Sequence, residues 1–252
     1  MRLFVAVYPP PEALDDIVAQ THRLRIGAAA DAGINVRLTA RSTLHVTVAF
    51  LGEVPDDRLR TVQEALARAV ELWHHPPARR RRATGERRVG IAVPPRPGGQ
   101  PGAEPTESAE SVGQPVAEHR APAALRASLG DSGRSGARRA PRLQFGGGGR
   151  FGRGRFTVLW VGLLGEVDAL RGLAGAVRRE LRRSRIPFDF RPLRPHLTLA
   201  RPGDRLDKES LDEDLRTLDG YLGPSWPATE LVLMRSHLGP RPTYDRLAAW
   251  PL

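Results

Sequence analysis

Two short stretches place a histidine and a threonine two residues apart inside an apolar alternation: LHVTVAF at 44–50 and PHLTLA at 195–200. In an extended strand, side chains two apart share a face. His45 and Thr47 therefore stand together opposite Val46 and Val48, and His196 and Thr198 stand opposite Leu197 and Leu199. The apolar face can enter a core, which leaves an imidazole and a hydroxyl side by side on the other. Imidazole takes up or releases a proton near neutral pH, so two of them across a cleft can serve as base and acid in one turnover. A threonine hydroxyl donates a hydrogen bond without bringing a charge, which suits phosphoryl oxygens. In-line attack on a phosphodiester needs a nucleophile deprotonated on one side and a leaving oxygen protonated on the other. A matched pair of His–Thr strands supplies both without a metal, although the residues themselves do not say which histidine is the acid. The plainer alternative is two core histidines bonded to ordinary strand threonines. Arg201, directly after the second motif, is either a phosphate contact or a solvated strand end.

The elements that must position these pairs are legible from periodicity. RLFVAVY at 2–8 reads as a strand stopped by Pro9-Pro10-Pro11, and residues 12–27 read as a helix with acidic residues near its start. NVRLT at 35–39 reads as an edge strand leading into the His45 strand. Residues 56–73 are the clearest amphipathic helix, with Leu59, Val62, Leu66, Ala69, Val70 and Trp73 on one face. RLQFGGGGRF at 142–151 suggests a short strand followed by a glycine-rich turn, and 155–164 a buried strand. A helix over 167–185 precedes the second motif, and its Arg178, Arg179, Arg182 and Arg183 complement the dipole at its C-terminal end. A short acidic helix at 208–218 and strands at 229–236 and 244–250 close the chain. Strand, helix and His–Thr strand occur in each half, a weak internal duplication that suits an α+β fold of two antiparallel lobes. Tyr244 and Phe50 read as core or rim residues.

The formal net charge of +11 is unevenly distributed. Residues 76–155 hold 16 Arg against 6 acidic residues, whereas the rest of the chain is nearly neutral. Basicity therefore describes one segment and says little about what the remainder binds. Within that segment, PPRPGGQPGAEPTESAESVGQP has almost no large apolar residues and cannot offset its own ordering entropy. Residues 78–141 are accordingly expected to be a disordered insertion, with a short helix at 121–129, between catalytic-domain segments 1–77 and 142–252. The GGGGRFGRGR stretch lacks the G-K-[ST] of a phosphate loop, and a turn is the better reading. Cysteine is absent, which excludes thiol nucleophiles and cysteine–zinc sites. His22, His74, His75, His119 and His237 show no ligand spacing, so neither a metal nor another cofactor is expected. No leader or membrane span is evident, and a cytoplasmic monomer is the expectation.

LHVTVAFLGEVP and RPHLTLAR resemble the two H-x-T-x motifs of the 2H phosphoesterases, and most closely those of the bacterial RNA 2′,3′-cyclic phosphodiesterases, also called the 2′-5′ RNA ligase family. The likeness extends to RLFVAV at the start, VLWVGL before the second-half helix, and LVLMRSHLGP followed by Tyr244 and WPL. It implies a bilobal α+β fold of two antiparallel sheets with flanking helices and a pseudo-two-fold axis. The activity it implies is hydrolysis of an RNA 2′,3′-cyclic phosphate end to a 2′-phosphomonoester. By the same resemblance His45 is the proton donor, His196 the proton acceptor, and Thr47 and Thr198 bind phosphate; the cationic contact usual within the first motif is missing here, and Arg201 stands where it can supply a positive charge instead. Alternatives are 2′-5′ RNA ligation, hydrolysis of another cyclic nucleotide, or a non-catalytic RNA-binding role in which the basic insertion supplies the affinity.

Overall fold

The computed structural model describes residues 1–76, 138–239 and 242–252. The insertion expected at 78–141, with its short helix, lies almost entirely outside the described residues. Eight strands form one antiparallel sheet: β1 (Arg2–Val7), β2 (Val46–Glu53), β3 (Arg142–Phe151), β4 (Val158–Gly165), β5 (His196–Ala200), β6 (Leu222–Pro227), β7 (Glu230–His237) and β8 (Thr243–Pro251). Their spatial order is β6-β3-β4-β5-β2-β1-β7-β8. The two four-stranded lobes meet at a seam where β2 and β5 share a single residue pair, Val46 with Leu197. The strands that carry the His–Thr motifs are thus the innermost strand of each lobe, and the order of elements around the seam is that of a pseudo-two-fold. No further rung joins the two strands, and residues of both line the cleft.

Strand alternation divides the buried residues. Leu3, Val5, Val46, Val48, Leu197, Leu199, Leu231 and Leu233 turn towards the helices and join the main core. Phe4, Ala6, Val232 and Met234 turn to the other side, where Tyr8, Phe50 and Tyr244 pack against them. The helices α3 (Leu59–His74) and α4 (Val167–Arg183) pack on each other, and Trp73 is buried between them with its indole N–H donating to the Ala169 carbonyl at 3.4 Å. Buried Glu180 pairs with Arg68 on α3 and Arg183 on α4, so its charge is not left alone in the interior.

Several expectations from local pattern give way to tertiary structure. The helix expected over 12–27 breaks into α1 (Pro11–His22) and α2 (Arg25–Asp31). The cause is a cap supplied from elsewhere: Asp214, on α5 (Lys208–Asp219), accepts from the N–H groups of Arg25 at 2.6 Å and Ile26 at 3.1 Å. The corner between the two helices is so tight that a Cβ on Gly27 would lie 2.6 Å from the His22 backbone. The edge strand expected at 35–39 is a single bridge, Leu38 with Ala200, because Arg37 takes a positive φ of 50° that ends the extended run. The glycine run lies inside β3 rather than in a turn. Trp160 of β4 lies across the strand there, and a Cβ on Gly149 would sit 2.0 Å from its ring. Strand β6, LGPSWP, was not anticipated from its proline- and glycine-rich sequence. It is an edge strand, where a residue without an N–H costs little.

At the base of α3 the chain leaves at Pro76 and is described again from Arg138, whose N–H donates to the His74 carbonyl at 3.2 Å. The His74 ring also lies within 2.9 Å of the Arg138 carbonyl and 3.2 Å of the Pro251 carbonyl. Among the described residues no helix is long and apolar enough to cross a membrane.

Candidate active site

The cleft at the seam holds a cavity of about 190 Å³ lined by Thr39, Thr43, His45, Thr47, His196, Thr198, Arg201 and Tyr244. Every residue singled out from the two motifs is therefore on its wall, and Arg201 joins them. His45 stands just before β2 and His196 opens β5, so each lobe contributes one histidine and one threonine from the strand beside the seam.

The two imidazoles are held in the same manner. His45 Nδ1–H donates to the Thr43 carbonyl at 2.7 Å, and His196 Nδ1–H donates to the Arg194 carbonyl at 2.6 Å. A carbonyl can only accept, so each bond fixes the proton on Nδ1 and leaves the Nε2 lone pair for the cavity that both rings line. Aromatic side chains set the ring planes. Phe4 stacks on His45 with centroids 4.7 Å apart, and Tyr244 meets it edge-on at 5.3 Å. Phe151 meets His196 edge-on at 4.9 Å, with Trp160 at 5.9 Å. The glycine run in β3 is what lets Trp160 lie there, so a tract that reads as a loop in sequence instead backs a histidine.

Burial pushes the His45 imidazole down from its usual range to about 4, and the bond to Thr43 offsets this only partly. His196 and Arg201 press in the same direction. His196 is lowered by burial first and by Arg201 second. Both shifts favour the neutral imidazole, and the nearby Arg201 guanidinium makes the cavity receptive to an anion. A bound phosphodiester would reverse that field and favour a proton on one imidazole.

Three wall residues were not picked out as site residues from the sequence. Thr43 supplies the carbonyl that orients His45, while its own hydroxyl donates to the Ala40 carbonyl at 2.8 Å. Tyr244, read as core or rim, does pack on the smaller apolar cluster yet also lines the cavity. Thr39 lies on the short segment bridged to β5, its N–H donating to the Leu199 carbonyl at 2.8 Å. Its hydroxyl is buried and has no hydrogen-bond partner among the described residues. Only the contact between residues 37–39 and β5 brings Thr39 into the cleft, so no local pattern could announce it. Phe50 packs against the smaller apolar cluster under the Arg2 guanidinium and does not line the cavity.

Two imidazoles held through Nδ1 in the same way, the motif threonines and an arginine thus share the wall of one cavity. The chain belongs to the LigT-like phosphoesterase family, whose model matches residues 9–74 and 162–244. Among solved structures, E. coli LigT in complex with ATP is similar to it at 21% identity and a TM-score of 0.53, covering 100% of this chain and 97% of that one. TT0787 of Thermus thermophilus is similar at 22% identity and a TM-score of 0.58, covering 100% of this chain and 98% of that one. A comparison with curated proteins gives no match.

Proposed function

We propose that the protein hydrolyses RNA 2′,3′-cyclic phosphate ends to 2′-phosphomonoesters by two-histidine acid–base catalysis, with no metal. The observation that carries this reading is the identical fixing of two imidazole tautomers, one from each lobe, around one small cavity with Thr47, Thr198 and Arg201 on its wall. Family membership supports phosphoester chemistry, and E. coli LigT, a fold relative, has been crystallised with 3′-AMP.

In the proposed reaction, His196 Nε2 takes a proton from a water molecule as its oxygen attacks phosphorus. The bond from phosphorus to O3′ breaks on the opposite side, and His45 returns a proton from Nε2 to that oxygen. The product carries a 2′-phosphate and a free 3′-hydroxyl. Thr47, Thr198 and Arg201 hold the non-bridging oxygens, where charge accumulates. His45 enters this sequence protonated because the bound phosphate anion raises its affinity for a proton. Acid and base each contribute about 10²–10⁴ in rate.

The test is incubation of a short RNA ending in a 2′,3′-cyclic phosphate with the protein and excess EDTA, with identification of the product ends. A 2′-phosphate end, lost in His45→Ala and in His196→Ala, is the expected result. Full activity in both variants refutes the mechanism. Binding of RNA without turnover, falling steeply with salt and insensitive to both substitutions, would instead favour the RNA-binding reading. Formation of 2′-5′ joined products from cleaved ends would favour ligation.

A further inference from the structure

The catalytic cavity, at about 190 Å³, is below the roughly 300–1,000 Å³ of most small-molecule pockets, so it suits a terminal phosphate and little else of an RNA chain. The rest of a strand must leave across the rim. On the second lobe that rim is cationic. GRGRF at 152–156 lies between β3 and β4, with Gly152 and Gly154 at positive φ of 68° and 54°, and leaves Arg153, Arg155 and Phe156 exposed. Phe156 keeps 67% of its surface, and the Arg155 guanidinium lies 4.8 Å over its ring. This loop meets the segment that follows β5: a Cβ on Gly203 would lie 3.4 Å from the Arg155 carbonyl oxygen. That segment carries Arg201, on the cavity wall, and exposed Arg205. Arg37 completes the set. Its Nε–H donates to the Arg201 carbonyl, and its carbonyl accepts from the Arg201 N–H, both at 3.1 Å.

We infer that this lip, Arg153, Arg155 and Phe156 beside Arg201 and Arg205, binds the single-stranded RNA that precedes the terminal nucleotide. The inference rests on the proposed hydrolysis and adds the path of the strand to it. None of the lip arginines, nor Arg37, has a carboxylate partner among the described residues, whereas exposed Arg25, Arg41 and Arg246 are paired with Glu213, Asp15 and Glu230. Asp204 is the only acidic residue in the segments 35–39, 151–157 and 201–206. Unpaired guanidinium groups in a row suit a phosphodiester backbone, and an exposed ring among them suits a base, which stacks without regard to sequence. An acidic protein surface would match the charge, but a nucleic acid offers a charge and a flat face at every repeat. The lip is also continuous with the cavity through Arg201, so a strand held there by its end passes over it. Helix α4 bears exposed Arg179 and Arg182 too, but it packs on the main-core side of the sheet, whereas His45 stacks on Phe4 of the opposite side.

The test is titration calorimetry with product ends over a range of salt concentrations, which needs no turnover. Uridine 2′-monophosphate is compared with an oligouridylate of about eight nucleotides ending in a 2′-phosphate, a length within the site sizes of single-strand binders. The wild type is expected to bind the longer RNA about tenfold or more tightly at low salt. Its affinity for that RNA also depends more steeply on salt, by about 0.7 in log–log slope for each phosphate contacted. Arg153→Ser/Arg155→Ser reduces that extra slope by about 1.4, the share of two contacts. Phe156→Ala lowers the affinity ratio about fivefold or more and leaves the slope as it is. Arg179→Ser/Arg182→Ser, which removes the same charge from α4, leaves ratio and slope at the wild-type values. Equal affinities in the wild type, an undiminished slope in folded Arg153→Ser/Arg155→Ser, or an equal reduction in the α4 variant overturns the inference. Failure of the hydrolysis reading would show separately, as absence of turnover in the EDTA assay while the length-dependent binding persists.

Discussion

Replacing Thr39 with valine separates a ligand-binding role from a structural one by the sign of its effects. The hydroxyl is buried on the cavity wall and has no partner among the described residues, so the folded protein already bears the cost of desolvating it. Valine keeps the shape and removes the unpaired group, which leaves stability unchanged or raises it by up to about 1 kcal/mol. If the hydroxyl donates to a phosphate oxygen, the lost bond is charge-assisted and contributes about 1.5–3 kcal/mol, equivalent to about a 10- to 150-fold fall in kcat/KM. Thr43→Val is the control. Its hydroxyl is already bonded to the Ala40 carbonyl, so that variant is expected to lose about 1 kcal/mol of stability. Its carbonyl, which orients His45, is untouched. The assays are urea unfolding and kcat/KM on a short RNA with a 2′,3′-cyclic phosphate end. A Thr39→Val protein that is destabilised by more than about 1 kcal/mol while its kcat/KM stays unchanged would refute the reasoning.

The pH profile of kcat/KM reports the free enzyme, in which His45 titrates near 4 and must carry a proton to act as the acid. Above that pKa the active fraction falls, so kcat/KM is expected to drop about tenfold per pH unit between pH 7 and 8, whereas kcat, measured with the phosphate bound, falls less steeply. A flat or rising kcat/KM over that range would argue against His45 as the donor. Gly149→Ala forces the Trp160 ring off β3 and is expected to cost about 1–3 kcal/mol by overpacking, with a loss of turnover because His196 rests near that ring. Combining it with Trp160→Leu should restore stability but not activity, as followed by thermal unfolding and the same kinetic assay. Replacing residues 78–137 with a short Gly–Ser linker should leave kcat/KM within about threefold of the wild type, since Arg138 is hydrogen-bonded to His74 where the chain leaves α3. Loss of turnover in a linker variant that still unfolds cooperatively would assign the insertion a catalytic role.

The placement of the central cavity residues is legible in the sequence because they obey a two-residue period that needs no knowledge of the fold. His45, Thr47, His196 and Thr198 each announce their face within five residues of chain. What the sequence hides depends on contacts across the fold. The break at Arg23–Leu24 is set by a carboxylate on α5, and Thr39 reaches the cleft through a bridge to β5. Tyr244 arrives by way of the last strand. The glycine run misleads for the same reason: glycine in sequence suggests a turn, while here the absent side chains make room for an indole from the neighbouring strand. Strand β6 hides behind its prolines, which an edge position tolerates.

The strand order also bears on how the protein comes into being during synthesis. The lobe holding His196 is built from β3, β4, β5 and β6, a continuous stretch of chain, and can assemble as it emerges. The lobe holding His45 is built from β1 and β2, made before the other lobe, and from β7 and β8, made after it. Until the last hairpin arrives, one edge of β1 lacks its neighbour, Phe4 and Ala6 lack Val232 and Met234, and His45 lacks Tyr244. A nascent chain bearing both His–Thr motifs therefore still has an open strand edge, available for chaperones or for misassembly. A premature stop ahead of β7 yields a product that contains every motif residue and still has no formed pocket beside His45.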